Sequence, residues 1–229
     1  MIGIIAAMSC ELDKLLEAST VHKTQSVSGL TFYTATLEEK EVVLTVCGEG
    51  KVNAALAAQT MILLYRPSLI VNTGVAGALS PTLSVPNVAV ATATAEHDYD
   101  ISPLGYGVGE VLFPGGSATY FEADGEFCAA VLAAARKAGV HAESGVIVSG
   151  DQFIADADRK AELISRFGGI ACEMEGGAIG HVAFLNGTPF AVIRAISDTA
   201  DDGERFDPLR AAEISVAITR EALRLTVQE

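Results

Sequence analysis

The 229-residue sequence predicts a single-domain, three-layer α/β/α protein on a mixed, mostly parallel twisted sheet. Short runs rich in Ile and Val alternate with segments at helical period, and the runs are continuously apolar, as in strands buried on both faces. No linker, low-complexity tract or internal repeat divides the chain, and its length suits one α/β domain.

Strands are expected at residues 2–7, 42–46, 69–72, 85–92, 145–149 and 190–196. Glu11 falls in the first turn of a helix capped by Ser9. In the next helix Val52, Ala55, Leu56 and Leu63 share a face, and Arg66-Pro67 ends it because proline cannot continue the hydrogen-bond ladder. Another runs from about Gly125 to Lys137 and stops at Gly139, a common C-terminal signal. A fourth is capped by Asp156 or Asp158, and a fifth begins near Glu173 and ends at Asn186-Gly187. The last starts near Pro208, with Ile214, Ala217, Ile218 and Leu225 on one side. Residues 96–120 carry Gly and Pro and little periodicity, so they are expected to serve a site or an interface.

Composition removes several function classes. Fifteen Lys+Arg against 29 Asp+Glu give a net charge of -14, which repels a phosphate backbone, so no nucleic-acid partner is expected. The four cysteines lie far apart without a CxxC pair, the pattern of reduced thiols in a cytosol rather than a zinc site or a disulfide framework. Residues 1–8 are too short to span a bilayer and lack a basic region, and no apolar run of about 18 residues follows. A cytoplasmic domain with no membrane contact is expected. His97-Asp98-Tyr99-Asp100 has no second histidine-rich element to complete a metal site, so no metal is expected. Gly48-Glu49-Gly50-Lys51 lacks the first glycine of a P-loop, and Val52 stands where that motif has Ser or Thr. Asn72-Thr73-Gly74-Val75-Ala76-Gly77 is not GxGxxG, so a flavin or nicotinamide domain is disfavoured and no cofactor is expected.

Ligands of such sheets sit beyond the carboxyl ends of the strands. Acids fall there at Glu11, at Glu173 and Glu175, and at Asp198. Each has an ordinary reading too. Glu11 complements a helix dipole; Glu173 or Glu175 caps a helix; Asp198 forms a structural ion pair with Arg194, which is costly inside an apolar strand without a partner.

Taken in order, several strings resemble the bacterial 5′-methylthioadenosine/S-adenosylhomocysteine nucleosidases, within the nucleoside phosphorylase-like group. They are Gly3-Ile4-Ile5-Ala6-Ala7-Met8 with Glu11, Gly50-Lys51-Val52, Asn72-Thr73-Gly74 and His97-Asp98-Tyr99-Asp100, then Val148-Ser149-Gly150-Asp151-Gln152-Phe153-Ile154, Glu173-Met174-Glu175 and Arg194-Ala195-Ile196-Ser197-Asp198. The set covers nearly the whole chain. The resemblance implies a small-molecule nucleoside substrate, hydrolysis of the N-glycosidic bond of a 5′-modified adenosine, and a homodimer. It implies that Asp198 protonates adenine N7, Glu11 activates water, and Glu175 holds the ribose hydroxyls. Met174 would pack under the sugar and Phe153 on adenine, with the Ile154 backbone reading the base edge. Val75 and Gly77 would line the sugar side, Met8 would be a further substrate-binding residue, and Arg194 and Ser197 would tune the acids. The chemistry agrees: a departing base leaves an oxocarbenium-like ribose that carboxylates stabilise, and adenine leaves poorly unless protonated. The alternatives are a phosphorylase, which needs an arginine-rich dianion site, and a non-catalytic adenosine-binding domain on the same fold.

The sequence departs from that family in places. Val75 replaces a usual serine. Glu49 stands where an apolar residue usually lines the 5′-alkylthio pocket, so Glu49 either turns to solvent or meets a polar 5′ substituent. The segment 199–206 is short for a closing lid, with Phe206 as its aromatic residue, and Gly176-Gly177 is expected to loosen a helix start.

Overall fold

The computed structural model describes residues 1–201 and 208–226. In chain order its elements are β1 (Ile2–Ala6), α1 (Ser9–Glu17), β2 (Thr20–Val27), β3 (Leu30–Leu37), β4 (Lys40–Val46), α2 (Lys51–Tyr65), β5 (Leu69–Ala78) and β6 (Val88–Glu96). A 3-10 turn (Ser102–Leu104) and three short strands, β7 (Val111–Phe113), β8 (Gly116–Ala118) and β9 (Phe121–Glu122), follow. Then come α3 (Gly125–Ala138), β10 (Ala142–Ser149), α4 (Ala157–Phe167), β11 (Gly169–Glu173), α5 (Gly176–Asn186), β12 (Phe190–Asp198) and α6 (Pro208–Leu225).

The main sheet runs β11-β10-β6-β12-β5-β1-β4-β3-β2. Two parallel blocks, β4-β1-β5-β12 and β6-β10-β11, meet antiparallel where Ile193 faces Val90. The sheet is mixed, as expected. β11 also pairs antiparallel with β5, Ala171 opposite Ala78 and Cys172 opposite Gly77, so the sheet folds back and carries the end of β11 to the end of β5.

Neighbouring side chains on each central strand enter opposite cores. Ile5, Val43, Ile70 and Val192 pack under α2 and α5 with Met61 and Ile179. Ile4, Leu44 and Val71 pack under α1, α3 and α6 with Leu12, Leu15, Val131 and Val216. Strict alternation between two buried faces is why these strands read as unbroken apolar runs. On the third cluster, Leu163 and Phe167 of α4 close over Val148 and Leu79.

Several elements differ from the expectations. β2 is a mostly exposed, polar edge strand without an apolar signature; it hairpins onto β3 through Ser28 and Gly29, both with positive φ. β5 continues to Ala78 through two glycines that break its apolar run. The cap of α1 is Met8 rather than Ser9, and α5 begins at Gly176 with Glu175 as its cap. On α2 the face of Val52 (79% exposed), Leu56 (42%) and Leu63 (68%) points away from the sheet, because the helix packs through Ala54, Ala57, Ala58 and Met61. α6 buries Ala211, Ser215, Ile218 and Ala222, leaving Ala217 and Leu225 exposed. A Cβ on Gly177 would lie 2.8 Å from Ser149 Oγ, so the close packing of the α5 start requires a glycine there. Asp156 caps α4 as expected, accepting the Arg159 N–H.

Candidate active site

Strands β1, β5, β11 and β12 end at one edge of the sheet, and each delivers an acid or a glycine there. After β1 the chain turns through Ala7 and Met8 into α1, placing Glu11 at the third helical position. Glu11 Oε2 accepts the backbone N–H groups of Ala7 and Met8, each at 3.0 Å, which satisfies donors that a helix start leaves without partners. A Cβ on Gly74 would lie 2.7 Å from Glu11 Oε1 and would overlap the Arg194 guanidinium. Glycine at 74 therefore opens the space in which these side chains meet. Burial raises the Glu11 pKa, and Arg194 and the two N–H groups offset this only partly.

Arg194 lies on β12 opposite Gly74 and is fully buried. It donates to Glu173 and to Asn72 Oδ1, and it stands 3.5 Å from Glu175 Oε2. These, and not Asp198, are its partners. β12 shifts register between Ile196 and Asp198, which sets Asp198 beside Gly77 instead.

Glu173 and Glu175 divide the two roles that the sequence left open. Glu173 accepts the Ser149 hydroxyl, the N–H groups of Glu175 (2.9 Å) and Gly176 (2.8 Å), and the Arg194 guanidinium. Burial alone would raise its pKa, but Arg194 and these donors hold it below the usual carboxylate range. Glu173 thus anchors the start of α5. Among the described residues the Glu175 side chain accepts one hydrogen bond, from the Gly50 N–H at 2.7 Å. Burial, and then the neighbouring Glu173 charge, push it up to about 7 against the pull of Arg194 and that N–H.

Asp198 is buried at the end of β12, its oxygens accepting the Ser197 hydroxyl and the Ala200 N–H, each at 2.9 Å. A Cβ on Gly77 would lie 2.8 Å from Asp198 Oδ1, and Gly77 pairs with Cys172 of β11 on its other side. Gly74 and Gly77 stand about 10 Å apart along β5 at the usual rise per residue. One strand end therefore separates Glu11 and Arg194 from Asp198.

The remaining expected residues fall around this edge. Met8, Val75 and Met174 are half-buried and Ser197 is buried. Phe153, 62% exposed, and buried Ile154 line an open cavity of about 720 Å³ with Gln152, Asp156 and Arg159. Glu49 is exposed on the turn before α2. Phe206 lies outside the described residues. A cavity of about 800 Å³ at the opposite edge, among Ile2, Lys40, Leu69 and Phe127, holds none of the site acids. The His97-Asp98 pair is absorbed by ion pairing and hydrogen bonding: Asp98 takes Lys51, and His97 Nδ1 lies 3.2 Å from Arg159 Nη2. Sequence reasoning missed Asn72, Ser149 and Gly50 as partners of the charged cluster. Ser149 and Gly50 lie 24 and 125 residues from the carboxylates they hold, and no local pattern marks them.

A twisted α/β sheet with buried carboxylates gathered at the carboxyl ends of its strands is the architecture of an enzyme that binds a small ligand there. Residues 1–226 match the phosphorylase superfamily, and the chain belongs to it. Within it, a 5′-methylthioadenosine/S-adenosylhomocysteine nucleosidase of Halalkalibacterium halodurans is 38% identical over 201 residues, 87% of this chain and 85% of that protein. The crystal structure of the nucleosidase of that name from Neisseria meningitidis, in complex with methylthio-immucillin-A, superposes with a TM-score of 0.91 at 36% identity, covering 97% and 98% of the two chains. A futalosine hydrolase of Helicobacter pylori superposes with a TM-score of 0.89 at 29% identity, over 97% and 96%. The chain belongs to the 5′-methylthioadenosine/S-adenosylhomocysteine nucleosidase family.

Proposed function

We propose that residues 1–229 form one nucleosidase domain that hydrolyses the N-glycosidic bond of 5′-modified adenosines, S-adenosylhomocysteine and 5′-methylthioadenosine among them, with 5′-deoxyadenosine as a further candidate. The supporting observation is the buried group of Glu11, Glu173 and Glu175 around the single guanidinium of Arg194. Three carboxylates against one cation leave surplus negative charge, the preorganised partner for a ribose that becomes positive as the base departs. Glu11, with Oε2 held by two backbone donors and its pKa raised, serves as base for the attacking water. Glu175 holds the ribose hydroxyls. Asp198 protonates adenine N7 while Ser197 and Ala200 orient its carboxyl.

Water rather than phosphate is the acceptor in this reading. The cation at the Gly48-Glu49-Gly50-Lys51 turn is taken by Glu96 and Asp98, at 3.0 and 2.6 Å, so it does not offer a dianion site. Exposed Glu49 on that turn favours a polar or cationic 5′ substituent, such as the amino acid moiety of S-adenosylhomocysteine, over a methylthio group. The exposed face of α2, together with Phe184 and Leu185 of α5 (each 51% exposed), supports a homodimer. Among the described residues no helix is long and apolar enough to cross a membrane, and the composition favours a cytoplasmic location. Chromatography of products from 5′-methylthioadenosine, S-adenosylhomocysteine, 5′-deoxyadenosine, adenosine and inosine, with and without phosphate, tests the reading. Adenine and unphosphorylated sugar are expected; a phosphate requirement would show a phosphorylase.

A further inference from the structure

The turn that carries Gly50 and the loop that carries Phe153 and Ile154 follow β4 and β10, which are not neighbours in the sheet. Three hydrogen bonds nonetheless join them in a closed ring. Asp151 Oδ1 accepts the backbone N–H of Lys51 at 2.8 Å. The Lys51 ammonium donates to Asp98 Oδ1 at 2.6 Å, and Asp98 Oδ2 accepts the backbone N–H of Asp151 at 2.8 Å. Glu96 holds Lys51 a second time, at 3.0 Å, and places its other oxygen 3.0 Å from Nδ1 of His181, whose ring stacks on Phe121.

The ring closes tightly on Gly50. Its φ is +94°, where a Cβ is strained, and a Cβ there would lie 2.9 Å from Asp151 Oδ1. The Gly50 N–H is the group donated to Glu175. Asp151 therefore grips the peptide immediately following the one that grips Glu175.

We propose that Asp151, together with Asp98, is a positioning residue: the ring fixes the Gly50 N–H on Glu175 and, through the Asp151 backbone, the loop of Phe153 and Ile154, so that the ribose-holding carboxylate and the base-binding loop are set as one unit. The inference rests on the nucleosidase reading above. The acceptor count makes it specific. Asp151 uses one oxygen, so Asn can replace it, whereas Asp98 uses both, and an amide offers one acceptor where the ring needs two.

Steady-state kinetics of D151A, D151N and D98N test this. D151A is expected to lose about tenfold or more in kcat/KM, chiefly through KM, as expected for misplaced binding groups. The acid limb of its pH profile should move upward, because the N–H that favours the Glu175 carboxylate is no longer held in place. Glu175 also faces Glu173 on its own turn, Arg194 on β12, Glu11 on α1 and the Cys47 thiol after β4, and the substitution touches none of them. D151N should behave as the native protein. Native KM and acid limb in D151A, or equal impairment in D151N, would overturn the proposal; if D151A does not fold, D98N is read by the same two parameters. Amide exchange at Gly50 and Lys51, slow in the native protein and fast in D151A, separates the two readings. If the native protein releases no adenine, the nucleosidase reading falls and exchange still decides the ring.

Discussion

Replacing Glu175 by Gln is expected to raise thermal stability at alkaline pH while removing most turnover. In the folded chain this carboxyl titrates at about 7, against an ordinary 4.5, because it is buried beside the Glu173 carboxylate. That gap corresponds to about 3 kcal/mol of native-state cost once the group is ionised. The folded state holds the proton more tightly than the unfolded chain. The cost is therefore absent below about pH 4.5, grows as pH rises towards 7, and is complete above it. Gln keeps an acceptor for the Gly50 N–H but turns an amide N–H towards the Arg194 guanidinium, where the carboxylate had placed an oxygen 3.5 Å away; a buried donor without a partner costs about 1–3 kcal/mol, so about half of the gain remains, about 1–2 kcal/mol. For a chain of this size that is a rise in Tm of about 3–6 °C at pH 8.5, shrinking towards zero at pH 5. Thermal melts of both proteins at the two pH values, with adenine release measured alongside, make the check. A Tm at pH 8.5 equal to or below that of the native protein, or a difference independent of pH, would refute the reasoning.

Asp198→Asn and Glu11→Gln should each lower kcat by about 10²–10⁴-fold with circular dichroism unchanged, and a native rate in either removes its assigned role. Glu49→Ile should shift the ratio of kcat/KM for S-adenosylhomocysteine over 5′-methylthioadenosine towards the latter; an unchanged ratio counts against a specificity role for Glu49. Leu63→Glu places a charge on the exposed apolar face of α2, where sedimentation is expected to show a dimer becoming a monomer. The same mass in both proteins would place the interface elsewhere.

The candidate acids are legible in sequence because strand ends are. Continuous apolar runs mark β1 and β12, and whatever follows such a run lies at the ligand-binding edge of the sheet. Glu11 and Asp198 stand out as candidates in this way and Glu175 as an acid at a helix start after Ile170-Ala171-Cys172, while their roles come from the ordered resemblance alone. Partnership was not legible. Arg194 and Asp198 are four residues apart on one strand and look like a pair, yet a register shift in β12 turns Asp198 towards Gly77 and leaves Arg194 to Glu173 and Glu175.

The sequence by itself determined the alternation of elements, the buried strands and the identities of the candidate acids, since these depend on local periodicity and on residue type. Tertiary structure alone decided which glutamate anchors α5 and which stays available, that the face of Val52 and Leu63 points outward, and that Asp151 reaches the turn of Gly50. The physical reason is range. A strand's burial is encoded by its own neighbours, whereas a carboxylate's partners and protonation depend on charges and N–H groups brought close by pairing β11 against β5, which nothing in either segment announces.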